Sequence, residues 1–355
     1  MSLASYVDDL SDTAKKTFAF FSLMAIQISL LLVVTLSKAN HQSYTYNPAS
    51  AICMAEACKL AISAGTYFRT GGTVEEAKKT FVNKEVLTAY VVLALIYCIN
   101  NQLTFTALAL TQPGNVALLK STTPFLTAIL QWFVNNAYMM NLEWISIIFL
   151  SCGLTLTQWN DCTSGLRISS AALGVLAFSS CLTAVSSVGN AYMVKKIKDT
   201  PVLLQNMVLY SFGVLFNLQA YFFATNGFIY GNNGAGFFEG YDNIFAIIVV
   251  ILNGLIGVAI TFVYKYGDAV IKCFAQVLSS IVLVIISAMF FGSEMTVSST
   301  CGAIVVFAAS YTYLLVVPDL KKALGIGATG KSKSANASDS NSIEMEEKKP
   351  FVDSK

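Results

Sequence analysis

Three lysines stand where lysine is costly. Lys59, Lys120 and Lys272 lie inside long apolar runs of the chain, and a charge at the centre of a bilayer costs about 2.5 to 3.5 kcal/mol on insertion scales. Such a cation needs a partner, a wet cavity or a route to the interface. Lys120 has no carboxylate in its own run, and Asp268, four residues before Lys272, is the local candidate partner in the other. Two ammonium groups in a low-dielectric cavity attract phosphate strongly, so Lys120 and Lys272 are expected phosphate contacts. Snorkelling or structural pairing is the alternative. Glu56 and Lys59, three apart, share a helix face and can neutralise each other. That pair suits helix packing, or a gate in which Glu56 takes part.

Amides and phenols recur in the same apolar runs. Asn100 and Asn101 follow Tyr97, Asn206 and Tyr210 stand four apart, and Asn253 adds another amide. A buried amide is costly unless hydrogen-bonded. Such groups read a base or a sugar while aromatic faces stack on it, and they also serve as polar glue between membrane helices. Enzyme chemistry finds no footing. The chain has one histidine, His41 in a connection, so no His-based triad, HExxH motif or histidine metal cluster can form, and there is no P-loop.

The elements that must position these groups are membrane helices. Of 355 residues 55% are hydrophobic and 12% charged, with mean hydropathy +0.63, against roughly 25% charged in a soluble domain. A net charge of +2 and clustered charges give no surface for nucleic acid. Cys53, Cys58, Cys98, Cys152, Cys181, Cys273 and Cys301 fall in apolar runs and Cys162 in a polar connection, with no CxxC pair or disulfide framework. Asp8, Asp9 and Asp12 precede the first run without a basic segment, which predicts a retained helix rather than a cleaved signal.

A bilayer core needs about 20 apolar residues per helix. Ten runs meet that need, at about 17–37, 49–68, 86–108, 114–134, 143–159, 171–194, 202–225, 243–265, 268–291 and 296–317. The expected fold is therefore an all-α integral membrane bundle, with a cytosolic N-terminus at 1–16, a ten-helix domain at 17–318 and a disordered cytosolic tail at 319–355. Lys15, Lys16, Arg69, Lys78, Lys79, Lys84, Lys195, Lys196, Lys198, Lys265 and the tail lysines gather on one side, against Lys38 and Arg167 on the other. Both termini are expected in the cytosol. The Gly-rich stretch 226–242 is an expected lumenal loop. Five spans in each half would invert the second half relative to the first, and would give Lys120 and Lys272 related places in the fourth and ninth runs.

Several segments resemble the nucleotide-sugar transporters, in the branch of the CMP-sialic acid, UDP-galactose and UDP-N-acetylglucosamine carriers. They are 51–60 (AICMAEACKL), Asn100-Asn101, 153–159 (GLTLTQW), Gln205-Asn206-Met207 with Tyr210, and 265–274 (KYGDAVIKCF). The resemblance implies the drug/metabolite transporter fold, residence in Golgi or ER membranes, and antiport of cytosolic nucleotide sugar against lumenal nucleoside monophosphate, without metal or cofactor. It makes Lys272 the phosphate-contacting lysine, with Asn100, Asn101, Asn206 and Tyr210 in the site; a homo-oligomer is left open. Two departures stand out. Lysine and proline are four apart in Lys120-Ser121-Thr122-Thr123-Pro124, where the branch has two, so either Lys120 or Thr122 takes the usual place. Met193-Val194-Lys195 lacks the branch's acid, and Phe212 replaces a small polar residue. An exporter of amines or other metabolites from the same superfamily, or a scaffold that has lost transport, are the alternative functions.

Overall fold

In the fourth apolar run the helix does not run through. Leu119 and Lys120 are helical, Ser121 and Thr122 form a turn, and a new helix starts at Thr123. Pro124 explains the break: a proline ring collides with the carbonyl four residues earlier, here that of Lys120, yet it is tolerated in a helix's first turn.

The computed structural model describes residues 11–40, 48–110, 116, 119–135, 139–159, 170–225, 236–239, 241–291 and 295–325. Among them every regular element is helical. They are α1 (Asp12–Asn40), α2 (Pro48–Arg69), α3 (Val74–Val82), α4 (Lys84–Leu110), α5 (Thr123–Asn135), α6 (Asn141–Gln158), α7 (Ser170–Lys196), α8 (Val202–Thr225), α9 (Ile244–Tyr266), α10 (Ala269–Phe291) and α11 (Val297–Tyr311). A π turn, Thr312–Val316, carries α11 into α12 (Val317–Ala323). Seven segments are long and apolar enough to cross a bilayer: Thr13–Val34, Lys84–Thr104, Ser170–Lys196, Val202–Phe223, Ile244–Tyr266, Ala269–Phe290 and Val297–Ala323. The runs 49–68, 114–134 and 143–159 became α2, α5 and α6, which fall outside that criterion. The proline break leaves α5 only 13 residues, and α2 carries Glu56, Lys59 and Arg69. The first ten residues, His41, Cys162, most of the Gly-rich stretch and everything after 325 lie outside the described residues.

One helix, α3, was not expected. Its sequence signal is a Thr73-x-x-Glu76 start, and the Thr73 hydroxyl accepts the Glu76 amide at 3.3 Å. Elsewhere, Asn243 and Thr296 cap α9 and α11 in the same way. The last helix continues past the expected boundary at 318 through Pro318, which sits in the first turn of α12.

Packing runs mainly between the first five long helices and the last five. The pairs are α1 with α9 and α10, α2 with α8 and α9, α4 with α7 and α8, α5 with α7, and α6 with α11. The last pair meets backbone to backbone: a Cβ on Gly302 would lie 2.6 Å from the Gly153 carbonyl oxygen, and one on Gly153 would lie 3.0 Å from that of Gly302. Large apolar side chains such as Phe21, Phe133, Phe149, Phe222, Phe290 and Ile304 remain exposed on the outside. That surface is dressed for hydrocarbon rather than water.

Candidate functional site

A cavity of about 120 Å³ opens where α2, α4, α7, α8 and α9 converge. Its lining includes Glu56, Lys59, Tyr97, Asn101, Asn190, Tyr210 and Asn217, with Gly213 and Gly257 in its wall. Five of those polar side chains were legible as candidates. Asn190 and Asn217 were not: Asn190 is a lone amide in its apolar run, and the signal for Asn217 was its helical spacing from Tyr210, seven residues earlier on the same face.

Helical spacing sorts the candidates. Tyr97 and Asn101 are four apart on α4 and face the cavity together. Asn100 lies about 100° around the same helix and faces α7 instead. There its amide donates to Thr183 Oγ1 at 3.0 Å and accepts from Ser179 Oγ at 2.8 Å. On α8, Tyr210, Gly213 and Asn217 follow the i, i+3, i+7 face. Asn206, one turn before Tyr210 and 1% exposed, accepts from Thr261 Oγ1 on α9 at 3.1 Å. The same Thr261 hydroxyl lies 3.5 Å from the Tyr210 phenol. Asn253 donates to the Val249 carbonyl of its own helix at 2.9 Å and is not among the lining residues.

Glu56 and Lys59 meet at 2.7 Å inside the cavity. Two glycines make the room. A Cβ on Gly213 would stand 2.7 Å from Glu56 Oε2, and one on Gly257 would stand 2.6 Å from Lys59 Cδ. The pair thus lies in notches of α8 and α9, with the Lys59 ammonium 5.6 Å from the centre of the Tyr210 ring, within cation–π range.

The other two lysines sit beside this cavity and are held by hydroxyls. Lys272, 8% exposed on α10, donates to Ser187 Oγ on α7 at 3.1 Å. Lys120, at the helix break, donates to Thr104 Oγ1 on α4 at 2.9 Å. Among the described residues neither ammonium group has an ion-pair partner. Asp268 is engaged with its own helix, where its carboxylate accepts the Ile271 amide at 2.8 Å and caps α10. Thr122 is exposed and its hydroxyl returns to the Leu119 carbonyl at 2.8 Å. Lys120 is therefore the residue of the two that reaches across to α4.

Hydrogen bonds tie four helices together at one end of the bundle. Lys195, at the end of α7, donates to the Gly267 carbonyl that ends α9, and Tyr90 on α4 donates to Gln205 on α8. Gln205 in turn donates to the Ile197 and Thr200 carbonyls at 2.8 Å. These bonds link α4, α7, α8 and α9 on the side where the basic residues gather.

This arrangement has relatives. The family model "Nucleotide-sugar transporter" matches residues 11–314. A CMP-sialic acid transporter 1 from Oryza sativa subsp. japonica is 26% identical over 302 residues, covering 81% of this chain and 90% of that protein. The UDP-galactose transporter senju of Drosophila melanogaster is 25% identical over 337 residues, covering 84% and 86%. A solved crystal structure at 13% identity superposes with a TM-score of 0.64 over 87% of this chain and 99% of its own, a likeness of fold. The family is one of transporters rather than enzymes. A match over residues 11–314, embracing every helix that lines the cavity, establishes that this chain belongs to the nucleotide-sugar transporter family.

Proposed function

We propose that this transporter exchanges a UDP- or CMP-linked sugar from the cytosol for a lumenal nucleoside monophosphate, carrying each in turn through one central site. The pair Lys120 and Lys272 carries this reading: two ammonium groups from different helices, held by Thr104 and Ser187 hydroxyls and lacking any carboxylate partner among the described residues. Phosphate is common to both exchanged species. When it binds, two cations are neutralised, and crossing the bilayer becomes cheaper for the loaded site than for the empty one. That difference makes exchange obligatory.

Tyr97, Asn101 and Tyr210 contact the nucleotide from the cavity wall. Asn206 presents a buried Nδ2 without a partner from just behind Tyr210. Asn100, Asn253 and Thr122 act from behind, holding helices rather than ligand.

The reading includes ten membrane helices in two inverted halves. Support comes from the packing pairs. Exchanging α1, α2, α4, α5 and α6 for α7, α8, α9, α10 and α11 maps the main pairs onto one another. Gly153 and Gly302 meet near the axis of that exchange, each close to the residue four beyond the other, Val306 and Thr157. The surplus of Lys and Arg on the side of the termini supports cytosolic ends, and the family resemblance supports a Golgi or ER membrane. Proteoliposomes preloaded with UMP or CMP are the test. Uptake of nucleotide sugar faster than into empty vesicles is expected; equal uptake would refute exchange and favour a scaffold.

A further inference from the structure

The segment 153–159 (GLTLTQW) belongs to α6, which contributes none of the cavity's lining residues. Its Thr155 nevertheless reaches the break before α5. Thr155 Oγ1 lies 2.7 Å from the Oγ of Ser121, in the turn that follows Lys120. The Thr155 proton goes to the Ser151 carbonyl one turn back, at 2.9 Å, which makes Ser121 the donor. Ser121 is 1% exposed, so the bond is sequestered. Two residues before Thr155, Gly153 meets Gly302 of α11 backbone to backbone, and the stretch of α6 that holds the turn is thereby itself fixed.

Thr104 holds the lysine from the other side. Tyr97, Asn101 and Thr104 follow the i, i+4, i+7 spacing on α4, so the helix face whose first two members line the cavity meets Lys120 with its third. The Thr104 proton is committed to the Asn100 carbonyl at 2.9 Å. Its oxygen can therefore only accept, and an ammonium, which can only donate, is the matching partner. Lysine carries its charge on a flexible stem, and the bond from Lys120 Nζ to Thr104 Oγ1 at 2.9 Å gives that charge a direction. An ammonium has three donors, so this bond aims the group without exhausting it.

We infer that Thr104 and Thr155 are positioning residues for the phosphate contact of Lys120: Thr155 fixes the turn through Ser121, and Thr104 aims the ammonium along the cavity-lining face of α4. The inference rests on the phosphate-contact reading above. It also accounts for the wide spacing of Lys120 and Pro124. Ser121 and Thr122 form a turn, so no unbroken helical ladder holds Lys120 in register with α5. Two hydroxyls from neighbouring helices hold it instead, one through the backbone turn and one at the charge itself.

UMP–UMP exchange in proteoliposomes separates positioning from packing. Thr104→Val keeps the shape of the side chain and the cation beside it, and removes only the acceptor. Its KM for UMP should rise about tenfold, the weight of a hydrogen bond to a charged group. The maximal rate should stay within about twofold of wild type, because Lys120 still supplies its charge to the loaded site. Thr104→Ser restores the acceptor and should bring KM back to within about twofold of wild type. Thr155→Val should raise KM in the same sense, and Thr155→Ser should not. An unchanged KM in Thr104→Val overturns the inference, as does an equal rise in Thr104→Ser, since serine keeps the oxygen and loses only the methyl group. If Thr104→Val melts well below wild type, the two Thr155 variants decide by the same criteria. In each of these outcomes continuing exchange by wild type leaves the antiport reading standing. Absence of UMP exchange and of all nucleotide-sugar uptake in wild type sinks both.

Discussion

At the scale of single residues, charge decides more than size. Lys272 is buried against Ser187, and among the described residues no carboxylate is paired with it to replace the phosphate it is proposed to hold. Lys272→Gln should abolish exchange while the protein still reaches the membrane, and Lys272→Arg should keep part of it, because a guanidinium pairs with phosphate in another geometry. Counterflow per transporter molecule measures both; equal rates for wild type and Lys272→Gln would remove the assignment. Glu56 and Lys59 behave differently, since each is the other's partner. Lys59→Gln strands a carboxylate, and breaking a sequestered pair costs about 3 to 5 kcal/mol. Its yield of folded protein should fall. The double change Glu56→Gln with Lys59→Gln leaves no unpaired charge and should recover most of the lost melting temperature in detergent. No recovery would mean that Lys59 stabilises the fold by packing along Gly257 rather than by charge.

At the scale of helices, two backbone features do the positioning. Between α6 and α11 the Gly302 Cα approaches the Gly153 carbonyl so closely that a methyl group has no space, and a backbone oxygen cannot rotate aside as a side chain does. Gly302→Ala should part the helices and cost about 1 to 3 kcal/mol, the usual range for overpacking, read as a lower melting temperature. The break before α5 is the other feature. Pro124→Ala removes the clash with the Lys120 carbonyl and supplies an amide proton, so the helix can close through Ser121 and Thr122. Exchange should slow while thermal stability holds or rises; unchanged exchange would show that Lys120 does not depend on the break.

At the scale of the molecule, the main packing pairs join the first five long helices to the last five, so the cavity lies at the seam where two halves would rock. The Lys195 bond to Gly267 spans α7 and α9 on the basic side. Its neighbour Val194 stands where the branch this chain resembles has an acid, so this tie is made by a lysine to a backbone carbonyl. In a cysteine-free background with Asn101→Cys, Lys195→Ala should raise labelling by a membrane-impermeant maleimide applied from the cytosolic face. Unchanged labelling would mean that Tyr90 and Gln205 suffice to keep the mouth closed.

Hydropathy alone located the long apolar helices, because a span of about 30 Å of hydrocarbon admits few other backbones. The costs of burying Lys120, Lys272 and the amides marked them before any coordinate was known. Three things needed the tertiary structure. Adjacent Asn100 and Asn101 part company because one residue turns a helix by about 100°, and only packing says which face meets α7. Asp268 became a helix cap rather than the partner of Lys272, a choice made by where α10 begins. Asn190 and Asn217 emerged as cavity-lining residues because only the packing of α7 and α8 against α4 decides which faces of those helices meet the cavity.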